Sequence, residues 1–530
     1  MDIKKLKDNA SIIIPASAAL LSILYLSRRE KVEEKKGLKE VPFPPNATKL
    51  PIFGHIFALG SCPSKQVTKW HDEIGPIYKI YMGNQLWVMI SDPFLAHDIF
   101  VKAGSSTSSR PYHRFLIDIY GKNNRGIVFA QNDLLWKNKR KAVTSILSPG
   151  SVDKFSDVLE VEIECLIDRF AKYSQAGETL DPFKEIQLSA MNVALKLALA
   201  TRFETTDNPT FKKLHEAIDK GMIYGGPAGD ISSYLPSFAW TDTFTGMEKK
   251  MRDFIHNSRD LIYGKLISDA LKSEQHSLVK DLYQMKEEGL IDEDDITVFM
   301  SKNNLKKKVK SHSDPSLLSQ LGDLVGAGAD TVATTIYWSF AILSQMPEVQ
   351  AKLVKELDEW KSKHASGAIP RFNEDRESLP YFVCVQKEIM RFRPATNFGI
   401  PHMASEDVTV NGYFIPKGAI LISSMAAMHK NPDFYKNPNE FKPERFLTNT
   451  NRMGAAANTK IEERDHFGFG WGRRICPGIH LAEKELFNFF VHFFSKFTIE
   501  TEFDSHGQNV KLNLDDYIEE GIVCKPLPST

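Results

Sequence analysis

The chain has 530 residues, 42% hydrophobic and 25% charged, which is enough apolar side chain for a large core and too much for a disordered protein. Lysine plus arginine equals aspartate plus glutamate at 67 each, so overall charge does not argue for nucleic acid as a partner. The five cysteines, Cys62, Cys165, Cys384, Cys476 and Cys524, are scattered and include no C-x-x-C pair; this excludes a disulfide framework and a cysteine zinc site, and it suits a reducing compartment.

From Asn9 to Ser27 no residue is charged, and Ala10 to Tyr25 is almost continuously apolar. As a helix this stretch spans roughly the 30 Å hydrocarbon core of a bilayer. Pro15 is tolerated in such a helix. Arg28, Arg29, Lys31, Lys35 and Lys36 follow it, against Lys4, Lys5 and Lys7 before it; the excess predicts a cytosolic catalytic domain. An anchor is preferred to a cleaved signal peptide, because no small-x-small site precedes a mature-looking start. Val41-Pro42-Phe43-Pro44-Pro45 is a stiff proline linker.

Ile77 to Ile90 is rich in β-branched and aromatic residues and broken at Gly83-Asn84, which predicts a hairpin. Asp92-Pro93 opens a helix with a cap and a first-turn proline. From about residue 132 to 393 helical periodicity dominates, with Pro347 to Trp360 clearly amphipathic. Gly326-Ala327-Gly328-Ala329-Asp330-Thr331 lies inside an apolar run from Leu317 to Met346. Each interior glycine costs a helix about 1 kcal/mol, so Gly322, Gly326 and Gly328 need a reason; a flat partner lying against the helix is one. Thr331 is placed to bond back to the carbonyl of Ala327 and open the helix locally, with Asp330 beside it as a proton source. Glu388 and Arg391 sit at i and i+3 on one helical face. Val408-Thr409-Val410 and Tyr413-Phe414-Ile415 flank Asn411-Gly412, a strong hairpin signal. Lys302 to Lys310, with five lysines, predicts a solvated loop.

Near the C-terminus the chain reads Phe469-Gly470-Trp471-Gly472-Arg473-Arg474-Ile475-Cys476-Pro477-Gly478. The glycines allow tight turns and close approach to a flat partner. Pro477 suits the first position of a helix, which would put Cys476 at the N-cap, facing the free amides of Gly478 and Ile479. Such a position lowers a thiol pKa and makes the sulfur a soft metal ligand.

This decapeptide resembles the haem-binding loop of the cytochrome P-450 superfamily, the haem-thiolate monooxygenases of microsomal fungal type, and Leu481 and Ala482 continue the match. The resemblance spans about residues 40 to 527 and includes Lys49 to His55. It implies a mainly α fold with small β-sheets (α+β): one large catalytic domain at 46–530, behind a membrane anchor at 1–29 and a basic, proline-rich linker at 30–45. It implies haem b held by Cys476 as the iron ligand, a thiolate whose push favours O–O cleavage, with Phe469 in the same loop. Asp330 and Thr331 resemble the acid–threonine pair that delivers protons, although Val332 stands where many relatives carry a second hydroxyl. Glu388 and Arg391 match the ExxR motif, and Arg445 completes a buried structural network. Trp136, Arg140, Arg474 and His402 occupy positions that hold the haem propionates. Many relatives carry arginine where His402 stands, which implies a looser or pH-dependent grip.

By position, Ile127, Val128, Phe129, Leu324, Ala327, Thr331, Ala395, Thr396, Phe398, Ile400, Gly521 and Ile522 line the substrate pocket, which predicts a hydrophobic small molecule. A steroid is the best single guess. The expected partners are O2, a membrane and a separate NADPH–cytochrome reductase, since the chain ends soon after the haem domain; NADPH enters only through that reductase. Lys137, Lys139 and Lys141 are the candidate basic face for it. The expected location is the endoplasmic reticulum membrane, facing the cytosol. Two rival functions use the same fold: a reductase-independent enzyme that uses or rearranges peroxide, and a haem sensor or carrier without turnover. The intact Asp330-Thr331 pair speaks against both.

Overall fold

The computed structural model describes residues 37–45, 47–177, 181–226, 229–287, 315–501, 506 and 509–527. The apolar segment read as an anchor, the start of the linker and the lysine-rich stretch at 302–310 lie outside them. No helix among the described residues is long and apolar enough to cross a membrane. The architecture is mainly helical with small sheets.

Helix α1 (Pro63–Ile74) precedes the expected hairpin of β1 (Ile77–Met82) and β2 (Gln85–Ile90). Asp92 caps the short helix Pro93–His97 by accepting from Leu95 N at 2.7 Å. The principal helices then follow as α2 (Leu134–Ile146), α3 (Ser156–Ala176), α4 (Phe183–Leu199), α5 (Pro209–Gly225), α6 (Pro315–Leu343), α7 (Pro347–Lys361) and α8 (Pro380–Phe392). Strands β3 (His402–Met403), β4 (Val408–Val410), β5 (Tyr413–Ile415) and β6 (Ile420–Ser423) lead to α9 (Ile479–Phe494) and a last hairpin, β7 (Tyr517–Glu520) with β8 (Val523–Pro526). The main sheet has the order β1-β2-β6-β3, with β2 and β6 parallel and the other pairs antiparallel. Asn411 and Gly412 both adopt positive φ between β4 and β5, as a two-residue turn of this type requires.

Helix α4 is buried along most of its length on all sides, including Glu185, Gln187, Ser189 and Asn192, as a helix surrounded by protein must be; it runs against α6. The amphipathic α7 instead buries one stripe, Val349, Leu353, Leu357 and Trp360. The largest core cluster joins α3, α6, α8 and α9 through Phe170, Trp338, Phe382, Ile389, Phe487 and Phe490. Trp338 buries its indole and donates Nε1–H to the carbonyl of Cys524 at 2.7 Å, which ties the last hairpin to α6.

Helix α8 carries a polar framework inside this core. Glu388 is 0% exposed and Arg391 1%. Arg391 grips both carboxylate oxygens of Glu388, at 2.7 and 2.8 Å, and donates to the carbonyls of His429, Pro438 and Glu440. The same carboxylate accepts from Arg445 Nε at 3.1 Å and Lys442 N at 2.7 Å. The neighbouring Lys387, fully buried, pairs with Asp465 at 3.0 Å and donates to the carbonyls of Asn449 and Asn451. Asp465 lies in the segment leading to the cysteine loop, so both charges of α8 brace the chain just before it. Removing one partner of such a network strands the others without water. Glu388→Ala or Arg391→Ala is therefore expected to destabilise the fold by about 3–5 kcal/mol; an unchanged urea midpoint in either variant would show that the network carries no such load.

Candidate active site

Between residues 318 and 336, helix α6 is buried everywhere except at Leu324, Ala327, Gly328 and Thr331. Their spacing puts all four on one stripe, so the helix opens along a single line. Thr331 Oγ1 donates to the carbonyl of Ala327 at 2.6 Å, the expected back-bond. Asp330 projects about 100° away around the helix. Its carboxyl is buried and accepts from Gln187 Nε2 of α4 at 2.6 Å. Burial raises its pKa; Gln187 and the more distant Lys525 oppose that.

Gly322 and Gly326 are buried against protein, which corrects the expectation of a flat partner for these two, whereas Gly328 lies on the open stripe with Ala194 at its edge. A Cβ on Gly322 would lie 3.1 Å from the Tyr120 hydroxyl, and one on Gly328 3.5 Å from Cβ of Ala194 on α4. Their small size lets neighbouring elements approach α6.

In the cysteine loop, Cys476 N donates to the carbonyl of Phe469 at 2.8 Å and closes the turn. Gly472 has positive φ, and a Cβ there would meet the carbonyl oxygen of Phe100 at 2.5 Å, so only glycine fits. Helix α9 begins at Ile479 with Gly478 as its cap. Cys476 therefore lies two residues before the N-cap, not at it, because Pro477 and Gly478 continue the turn before the helix starts. Burial pushes the Cys476 thiol up; the Gly478 amide and the Arg140 guanidinium pull the other way without prevailing. The expected lowering by the helix terminus is thus absent, and a thiolate here needs a bound cation to displace the proton.

Three guanidiniums gather above this loop. Arg474 stacks on the Trp136 ring at 3.7 Å and donates to the carbonyls of Ser108 and Ala130 at 2.9 and 2.7 Å. Arg140 donates to the carbonyl of Ile475. Arg110, invisible to sequence reasoning, donates to the carbonyls of Val128, Ile400 and Pro401. Every one of these acceptors is a main-chain carbonyl. Burial, then mutual repulsion, pushes Arg474 down to about 9 and Arg110 well below its ordinary value. Such a cluster suits a ligand with carboxylates. His402 donates from Nδ1 to the carbonyl of Thr107 at 2.8 Å, and burial followed by Arg110 holds the ring well below its ordinary pKa. It is a neutral group near pH 7, so the expected pH-dependent grip is corrected.

Asp323 was also missed, although a charge inside an apolar helical run was a signal. Its Oδ2 accepts from the amides of Ile127 and Val128 at 2.6 and 3.1 Å, while the carbonyl of Ile127 accepts from Trp136 Nε1 at 2.9 Å. The loop at 127–128 thus bridges α6 and the basic cluster. The side chain of Ile127 is buried in a core cluster with Val143, Leu147 and Leu197, against which Leu324 packs, and that of the partly accessible Phe398 packs beside the main sheet. Val128, Phe129, Ala395, Thr396, Ile400 and Ile522 remain partly accessible. Gly521 is exposed at the turn between β7 and β8, where a Cβ would lie 2.5 Å from Cβ of Met222 on α5.

Residues 44–528 match the family model described as Cytochrome P450. The chain belongs to the cytochrome P450 family. It is 25% identical to Cytochrome P450 monooxygenase 79 of Postia placenta, over 93% of this chain and 89% of that one. It is 27% identical to Cytochrome P450 1A1 of Pleuronectes platessa, over 87% and 85%. A zebra fish cytochrome P450 solved with progesterone shares the fold at a TM-score of 0.69 and 24% identity, over 88% and 97%.

As a cytochrome P450 the protein is an oxidoreductase of the monooxygenase class that uses haem b, usually with NADPH electrons delivered by a reductase. The donor set fits that group: one thiol with the Arg140 guanidinium near it, and buried or half-buried arginines bonded only to carbonyls, whose charge two propionates would match. Asp323 gives this P450 a pH-sensitive link across the site. Burial pushes its carboxyl up to about 6 from 3.8; the amides of Ile127 and Val128, then Arg259 and Lys139, oppose this. A raised pKa means stability held below the ordinary value and lost as pH rises through the folded one. Relative to Asp323→Asn, the wild type is expected to lose about 1–3 kcal/mol as pH rises through this window. A flat difference between their pH–stability curves would refute it.

Proposed function

We propose that this P450 is a membrane-anchored monooxygenase that inserts one oxygen atom of O2 into a C–H bond of an apolar, steroid-sized molecule, drawing electrons from a separate NADPH-dependent reductase. The observation that carries this reading is the open stripe of α6, three apolar positions and one hydroxyl. An apolar pocket with few polar groups binds an apolar ligand and leaves its orientation to shape. The similarity to a P450 solved with progesterone supports the steroid class.

Bound haem supplies an iron that activates dioxygen. Cys476 would hold the iron, and Arg110, Arg140, Arg474 and Trp136 the propionates. Thr331 keeps its hydroxyl on the open stripe through the bond to Ala327, where Oγ1 can pass a proton toward the reacting oxygen. Asp330 holds the proton that replenishes it, from a buried position that keeps its pKa up.

Lys137 and Lys141 are exposed and support a docking face for an acidic reductase. Lys139 is 1% exposed and donates to the carbonyl of Arg125, so it leaves that face. Membrane contact draws support from the exposed Phe57, Trp240 and Phe244. The stacking of Phe53 on Phe238 at 5.8 Å brings these segments together beside the chain that emerges from the linker.

Thr331→Ala is expected to bind haem and consume NADPH while product falls several-fold or more and hydrogen peroxide rises, since positioned proton transfer is commonly worth ~10²–10⁴ in rate. Equal product per NADPH in mutant and parent would remove the relay role; Val332 offers no substitute hydroxyl. Progesterone added to the haem-loaded chain is expected to shift the Soret band, and the absence of a shift with progesterone and a panel of related steroids would discard the steroid class.

A further inference from the structure

Helix α4 presents an amide to α6 in the middle of an otherwise apolar contact. Gln187 is 0% exposed. Its Nε2 donates to Asp330 Oδ1 at 2.6 Å, and its Oε1 is buried without a hydrogen-bond partner. A buried amide oxygen with no donor is costly; Ser189 and Asn192 on the same helix do find partners, whereas Gln187 keeps a free acceptor beside Asp330. The charged groups facing Asp330 are Lys525 from β8 and His215 and Asp219 from α5. None is bonded to it: Lys525 pairs with Glu520 at 2.8 Å, and His215 with Asp219 at 3.4 Å.

We propose that Gln187 is a positioning residue that clasps Asp330 in both of its protonation states. A carboxylate only accepts hydrogen bonds, whereas a carboxylic acid also donates one. In the arrangement seen, Nε2–H holds the carboxylate. With the amide turned over, Oε1 takes the O–H of the acid. A guanidinium or ammonium could hold only the anion. With an amide partner, Asp330 can give up a proton toward Thr331 and regain one from solvent without losing its buried contact; only O–H bonds change, and no electrons move. This inference rests on the proposed role of Asp330 as proton donor.

The test measures the protonation of Asp330 itself in the full, haem-loaded chain. The difference in unfolding stability between wild type and Asp330→Asn falls between the ordinary carboxylate value and the raised pKa of Asp330 in the fold, so its midpoint lies halfway between the two and moves by half of any change in that raised pKa. The same difference is then taken between Gln187→Met and Gln187→Met/Asp330→Asn, which cancels any general effect of the core substitution. A partner that holds both forms is expected to leave the midpoint little moved when it is removed, whereas a rise of about half a pH unit or more is the mark of a donor to the anion alone and overturns the clasp. Gln187→Leu serves the same comparison if the methionine variant does not fold. Infrared difference spectra on raising the pH read the acid directly. The carboxylic C=O band that Asp330→Asn abolishes is expected to shift in Gln187→Met, and an unshifted band overturns the proposal. Peroxide release by Asp330→Asn judges the proton-donor reading separately, and its outcome leaves the midpoint comparison unaffected.

Discussion

The carboxylate of Glu388, out of reach of water, receives two guanidiniums and a main-chain amide, and the cysteine loop is built on that arrangement. Arg391 spends its remaining donors on carbonyls from His429 to Glu440, so one ion pair on α8 fixes a long irregular segment that has no strand or helix of its own to order it. Lys387 extends the brace by one residue, through Asp465, to the start of the loop. Buried charges are expensive in isolation and stiff when fully paired. That stiffness supports Cys476 in a turn that three glycines would otherwise leave loose.

The cluster above the loop follows the opposite logic. Arg110, Arg140 and Arg474 are buried together, and their partners are carbonyl dipoles, which orient a guanidinium without neutralising it. Their mutual repulsion is the cost of holding a high positive potential in a low-dielectric place, and the carboxylates of haem b are the groups that would relieve it. The neutral ring of His402 adds a directional contact without adding to that repulsion.

Helix α6 separates its tasks by angle. Asp323 points to the loop at 127–128, the stripe from Leu324 to Thr331 faces the open space, and Asp330 turns toward α4. One rigid element thus carries a loop anchor, an open stripe and a buried acid on three different faces.

The sequence by itself determined the family, the cysteine, the back-bond of Thr331 and both tight hairpins, because each depends on residues close together in the chain and on local backbone chemistry. The ExxR motif was legible as a pattern, but the pair at i and i+3 could equally have been a surface bridge; only the surrounding core makes it a brace. Tertiary structure alone decided that Lys139 is buried, that Ile127 bonds through its peptide groups while its side chain enters the core, and that Arg110, Asp323 and Gln187 reach Ile400, Ile127 and Asp330. It also decided the state of the Cys476 thiol, where burial outweighs the favourable amide that the local sequence predicted. These outcomes turn on desolvation and on partners far away in the chain, and neither quantity is written in the spacing of neighbouring residues.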